Sequence, residues 1–205
     1  QGVLGGLTVL FFLPPSVSSA HAALAQLFFC TILSIALFTS AWWEQAQPLV
    51  ADSGRPRLHA LAAATAAAVF VQLILGAAFR HKGFGIIPHL TWAAVVTVLI
   101  FLLARVLRRR FAGIPVLRKA SRLLLALIGI QLLVGGAALW SRTYAADFPQ
   151  PIPVMITFTV IHTVMGALVL GSTVLLTLVW HRIVLRREAE TPVAMRPAAI
   201  RSDRA

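Results

Sequence analysis

The composition of this chain is typical of a membrane protein and excludes a soluble domain with a single core. Its 205 residues are 59% hydrophobic and only 12% charged, with a formal net charge of +12 and a mean hydropathy of +0.88. Soluble domains carry about 25% charged residues, so we expect this chain to lie in a bilayer. The single cysteine, Cys30, lies in an apolar run, which excludes an internal disulfide and a two-cysteine metal site.

Long stretches without Asp, Glu, Lys or Arg predict the membrane helices. These stretches cover residues 1–43, 58–79, 83–104, 123–141 and 148–181. A spanning helix needs about 20 apolar residues. Pro14 and Pro15 divide the first stretch, so residues 17–43 are long enough to span, whereas the 13 residues before Pro14 would form only about 20 Å of helix. Because the sequence starts with Gln1 inside such a stretch, we expect it to be the C-terminal part of a longer protein.

The basic residues are concentrated on alternate connections, which predicts the orientation of the chain. Fifteen of the 18 Lys and Arg residues lie on one side, and only Arg80, Lys82 and Arg142 lie on the other. By the positive-inside tendency the first side is cytoplasmic. We therefore interpret the charge as topology and do not expect nucleic acid as a partner. The tryptophans near segment ends are expected to be interfacial anchors: Trp42, Trp43, Trp92, Trp140 and Trp180.

Three segments share a short pattern that predicts a helical hairpin. In each, a glutamine is followed four positions later by glycine, and the next predicted helix carries a histidine followed four positions later by Ala or Gly. Residues four apart share a helix face, so the glutamine can hydrogen-bond across helices while the glycine permits close packing. Two hairpins would form a four-helix bundle, and three predict a further hairpin before Gln1. The residues are Gln1, Gly5 and His21; Gln72, Gly76 and His89; and Gln131, Gly135 and His162.

Histidine is the one acidic or basic side chain inside the apolar stretches. Each could be a hydrogen-bonded packing residue, but recurrence at equivalent places favours a functional role. Two facing imidazoles can bind haem iron axially, with small residues leaving room for the porphyrin. Zinc is disfavoured because its sites usually need three or four protein ligands.

Other polar residues near the segment ends have less specific expectations. Arg80 and His81 on the outer side could contact haem propionates, although Arg80 could equally extend to the membrane interface. His59, His181 and Cys30 are expected to be packing residues.

Together, these ordered patterns resemble the haem A synthase family. QGVLGGLTVLFFLPPSVSSAHAALAQLFF resembles its third and fourth helices, and QLILGAAFRHKGFGIIPH its fifth helix, outer loop and the start of its sixth. QLLVGGAALW and VIHTVMGALVLGS resemble the seventh and eighth. The resemblance implies an enzyme that oxidises a methyl group of haem O to the formyl of haem A for cytochrome oxidase. It also implies haem b as a cofactor bound by His89 and His162, and His21 as an axial ligand of the substrate haem O.

The resemblance further implies an all-α polytopic membrane protein of two pseudo-symmetric four-helix halves, with the first two helices absent from this sequence. Residues 1–50 would be the rest of the N-terminal half, 51–185 the C-terminal half with haem b, and 186–205 a basic cytoplasmic tail. Catalytic residues, including an outer-loop glutamate, are expected only in the missing region. The location would be a bacterial plasma membrane.

The resemblance also implies partners, and the residue patterns leave two alternative functions open. Haem O, membrane lipid, haem O synthase and cytochrome oxidase assembly proteins are the expected partners, and a homo-oligomer is compatible. One alternative is a non-catalytic bis-histidine cytochrome b that relays electrons. Another is a transporter built from repeated hairpins, which predicts no haem at all.

Overall fold

The chain folds as an all-helical bundle, described here from a computed structural model for residues 1–47, 49–144, 147–149 and 152–184. Five helices are long and apolar enough to cross a membrane, so the prediction of a polytopic helical membrane bundle is confirmed. The proposed tail, residues 186–205, lies outside the described residues. The helices are α1 (Gly2–Leu10), α2 (Pro15–Phe38), α3 (Ala41–Glu44), α4 (Leu58–Arg80), α5 (Ile87–Arg110), α6 (Pro115–Tyr144) and α7 (Pro153–Ile183), of which α2 and α4 to α7 are the candidate spans.

Helices α5 and α6 extend beyond the apolar stretches that predict them, whereas α2 ends at Phe38, before the predicted limit at residue 43. Helix α5 continues to Arg110 rather than ending at residue 104, and α6 begins at Pro115 rather than at residue 123. The added turns are charged, and the arginines at the end of α5 interact favourably with the negative end of its dipole. In α5 and α6 the apolar run therefore marks only the part of the helix that can lie in hydrocarbon.

Helices α4 to α7 form a closed four-helix ring. Each packs against its two neighbours in the order α4, α5, α6, α7 and back to α4, so α5 stands diagonally across from α7, and α4 across from α6. Helix α2 packs against the outside of α4 and α7, and α1 packs against α2. We call the end where α5 ends and α6 begins the basic end, and the end where α4 ends and α5 begins the histidine end. The hydrophobic core is densest toward the basic end.

One tryptophan is a core residue rather than an interfacial anchor. Trp180 is fully buried, with its ring centroid 4.8 Å from that of Phe111. The indole of Trp92 donates a hydrogen bond to the Ala68 carbonyl at 2.8 Å. The anchor interpretation is therefore wrong for Trp180, because position along a helix fixes depth, whereas helix rotation decides whether a side chain faces lipid or protein. Trp92 is half-buried and packs against the core. Trp140, by contrast, is 58% exposed near the end of α6.

At the basic end, polar side chains tie the connection between α3 and α4 to the bundle. The Asp52 carboxylate accepts a hydrogen bond from the Leu58 amide at 2.7 Å, which satisfies a free amide at the start of α4. The Arg110 guanidinium donates to the carbonyls of Arg55 and Pro56. Some of the arginines that predict orientation thus also hold this connection in place.

Candidate two-histidine metal site

The structure brings His89 and His162 together across the four-helix ring. His89 is the third residue of α5 and His162 the tenth of α7, and both side chains are half-buried. Their ring centroids are 6.2 Å apart and their planes are inclined at 78°. An imidazole nitrogen lies about 2 Å from a metal ion that it binds, so two rings on opposite sides of one ion have centroids about 6 Å apart. The spacing therefore suits one metal ion held between two imidazoles.

A glycine on the preceding helix makes room for each ring. A Cβ atom built on Gly76 would lie 2.9 Å from His89 Cε1, and one built on Gly135 would lie 2.9 Å from His162 Cε1. Such contacts are shorter than real Cβ atoms tolerate, so glycine is needed for the rings to stand where they do. Each of the two hairpins thus places a histidine ring directly against a glycine, an arrangement that we call the glycine cradle. Gly5 faces His21 in a similar way, because a Cβ built on Gly5 would lie 3.2 Å from His21 Cε1.

The repeated glutamines contact the same two histidines. Gln72 Nε2 donates to His89 Nδ1 at 3.1 Å and to the His89 carbonyl at 3.0 Å, and Gln131 Nε2 lies 3.4 Å from His162 Nε2. The predicted hydrogen bonds across helices are therefore confirmed in these two hairpins. The amide oxygens of both glutamines and His162 Nδ1 are buried and have no hydrogen-bond partner among the described residues. Buried polar atoms without a partner are rare in proteins and call for an explanation.

A cavity of about 430 Å³ opens beside the two rings. This volume lies in the usual range for small-molecule and cofactor sites, roughly 300 to 1,000 Å³. The walls are mostly apolar, and the small residues that follow the histidines by one turn, Ala93 and Gly166, are among them. Helix α2 closes one side with Ala22, Ala23 and Gln26.

Two arginines and a third histidine line the cavity at the histidine end. These are Arg80, His81 and Arg142. The Arg142 guanidinium carbon lies 4.6 Å from the centroid of the Phe79 ring. A smaller space of about 220 Å³, also lined by both arginines, adjoins this mouth. Burial and, second, the charge of Arg80 lower the pKa of His81, so the positive charge at the mouth comes from the arginines.

The sequence predicts contacts of Arg80 and His81 with propionates, but it indicates for Arg142 only a role in topology. A signal was nevertheless present in the repeat. Arg80 follows Gly76 by four residues and Arg142 follows Gly135 by seven, and both intervals return to the same helix face. The stripe that carries glutamine and glycine thus ends in arginine in both hairpins.

No protein-family model, curated protein or solved structure matches the chain. Among the described residues no group of three or more His, Cys, Asp and Glu could hold a metal ion. The arrangement therefore offers a metal two imidazoles and an apolar cavity, with positive charge at the mouth.

Three further histidines lie apart from this pair. His21 is half-buried on α2 and lines neither cavity, and its Nδ1 has no hydrogen-bond partner within the described part of the chain. His59 and His181 lie at the basic end, both exposed, with ring centroids 5.9 Å apart. The structure thus brings together His89, His162, Arg80 and His81 and leaves His21 separate from them.

Proposed function

We propose that this chain binds a haem between His89 and His162 and acts in haem A synthesis, oxidising a methyl group of haem O to the formyl of haem A. One observation carries the haem proposal. Two imidazoles on diagonal helices have ring centroids 6.2 Å apart beside a 430 Å³ apolar cavity. The assignment to haem A synthesis depends further on the resemblance of the three hairpin patterns to that family.

The residues of the site fit a haem better than a bare metal ion. Neither cavity is lined by a carboxylate or a thiolate within the described part of the chain. A zinc site usually needs three or four protein ligands, whereas haem iron needs only its axial ones from the protein. The glycines at 76 and 135 would let the imidazoles stand close to the helix backbone, and Ala93 and Gly166 would leave space for a flat macrocycle.

Each group of residues has a distinct role in this proposal. His89 and His162 would hold the iron of a haem through imidazole nitrogens. Gln72 and Gln131 fix the ring orientations, as partners of metal-binding histidines commonly do. The apolar walls exclude water, and Arg80 and His81 face the carboxylate edge of the ligand. A haem held in this way supplies the iron redox chemistry that the polypeptide lacks.

The same proposal gives the chain an orientation and a place in the cell. The histidine end would face outward, and the basic end and the C-terminus would face the cytoplasm of a bacterium, because cytoplasmic connections carry most of the Lys and Arg. His21 would bind the substrate haem in the other half of the protein. Haem O synthase and cytochrome oxidase assembly proteins would be partners.

A bis-histidine cytochrome that only relays electrons is the second candidate. The observation that favours it is the closed ring of α4 to α7, which contains both His89 and His162 while His21 lies outside it on α2. A four-helix ring with one internal histidine pair is sufficient for electron transfer and needs no substrate site.

The formation of haem A distinguishes the two candidates. We expect the chain, expressed with any coding sequence that precedes it, to produce haem A in a host that makes haem O but lacks its own haem A synthase. Extraction and chromatography of the haems would measure the product. His21→Ala is expected to stop haem A formation while the haem between His89 and His162 is retained, because His21 lies outside that cavity. Haem binding without any haem A would contradict the enzyme and support the cytochrome.

A further inference from the structure

We propose that Arg142 and Arg80 form a two-arginine clamp that binds the two carboxylates of a haem-like ligand. This inference rests on the proposed haem binding and adds to it a second cationic contact. It also specifies the class of ligand, which is a flat apolar molecule with two carboxylates on one edge.

The two arginines approach the same space from diagonal helices. Arg80 is the last residue of α4, and Arg142 lies in the last turn of α6. Both line the main cavity and both line the smaller adjoining one. The two side chains thus reach the same space from different helices, and the Arg142 guanidinium extends as far as Phe79, the residue before Arg80.

The Arg142 side chain is held without being neutralised. Its guanidinium lies over the Phe79 ring, with 4.6 Å between Cζ and the ring centroid, and such cation–π contact leaves the positive charge in place. No Asp or Glu of the described residues lines either cavity. Two positive groups that share one space repel each other, and an anion placed between them relieves that repulsion.

The chemistry of the clamp favours carboxylates. A guanidinium pairs with a carboxylate through two parallel hydrogen bonds, so two arginines match two carboxylates. The apolar walls and the imidazole pair lie on the inner side of this mouth. A ligand that satisfies all three features has an apolar body, a metal at its centre and an anionic edge.

Binding of haem b and of haem b dimethyl ester tests the clamp, because the ester keeps the macrocycle and iron but has no carboxylates. We expect Arg142→Gln to weaken haem b binding about tenfold, the size expected for loss of one charge-assisted hydrogen-bonding group, and to leave ester binding as in the unsubstituted chain. The matched control is Lys82→Gln, which removes an exposed positive charge at the same end that lines neither cavity. It should leave both affinities unchanged.

The other outcomes overturn the inference in distinguishable ways. If Arg142→Gln leaves haem b affinity unchanged, the clamp is wrong while the two-histidine haem site stands. Equal weakening of haem b and ester binding would show that Arg142 acts on the fold rather than on carboxylates. If the unsubstituted chain binds neither compound, the proposed function itself fails.

Discussion

Replacement of His162 by alanine is expected to abolish the low-spin b-type absorbance of the purified chain reconstituted with haem. The imidazole of His162 faces that of His89 with 6.2 Å between ring centroids, so one axial ligand would be lost. Because loss of a mere supporting partner of a metal ligand costs about 10- to 100-fold in affinity, loss of the ligand itself should cost at least that much. A haem titration followed by absorbance measures both the low-spin spectrum and the haem affinity.

His59→Ala is the matched control for this experiment. His59 lies on α4 at the basic end of the bundle and is exposed, so its removal should leave the spectrum and the affinity unchanged. Retention of a low-spin spectrum in the His162→Ala protein would contradict the assignment of His162 as an axial ligand. Equal loss in both variants would indicate a general effect on folding.

The second large effect is expected from Gly135→Ala. A Cβ at this position would lie 2.9 Å from His162 Cε1 and 3.2 Å from Nδ1, so the ring must move out of its place beside the cavity. We expect haem affinity to fall about 10- to 100-fold, as for other groups that position a metal ligand. Helix stability should not fall, because alanine is favoured over glycine inside a helix by about 1 kcal/mol.

Gly129→Ala separates this steric effect from the change in helix propensity. Apart from its chain neighbours and the backbone of its own helix, no atom lies within 4 Å of a Cβ built on Gly129, and Gly129 lines neither cavity. This substitution in the same helix therefore gives the same gain in propensity without touching His162 or the cavity. Haem titrations and thermal unfolding of both variants should therefore show equal stability and unequal affinity. Equal affinities would mean that the glycine cradle does not determine where the imidazole stands.

Much of the fold could be predicted because membrane helices have a simple physical requirement. Without water to bind free backbone groups, a span must be a continuous apolar helix, and stretches that lack charge reveal it. The hairpin repeat also predicts side-chain contacts between helices, since residues four positions apart share a helix face. The contacts of Gln72 and Gln131 with the histidines of the facing helices follow that periodicity.

Other features depend on how the helices rotate and where they end, and a single sequence does not encode these simply. Trp180 lies near a segment end yet faces the core, because α7 turns that side toward Phe111. From the sequence alone, Arg142 is predicted to lie in a loop, because the apolar stretch ends at residue 141. In the structure α6 continues to Tyr144, so Arg142 belongs to the helix. Its place over Phe79 depends on the packing between helices, which periodicity alone does not determine.

We propose above that two imidazoles of this chain hold one haem iron between them. An electron paramagnetic resonance spectrum of the ferric protein, recorded with haem b at increasing ratios to the purified chain, tests this proposal. We expect a low-spin signal typical of two imidazole ligands that saturates at one haem per chain through the His89 and His162 site. A high-spin signal, or no bound haem at any ratio, would contradict it.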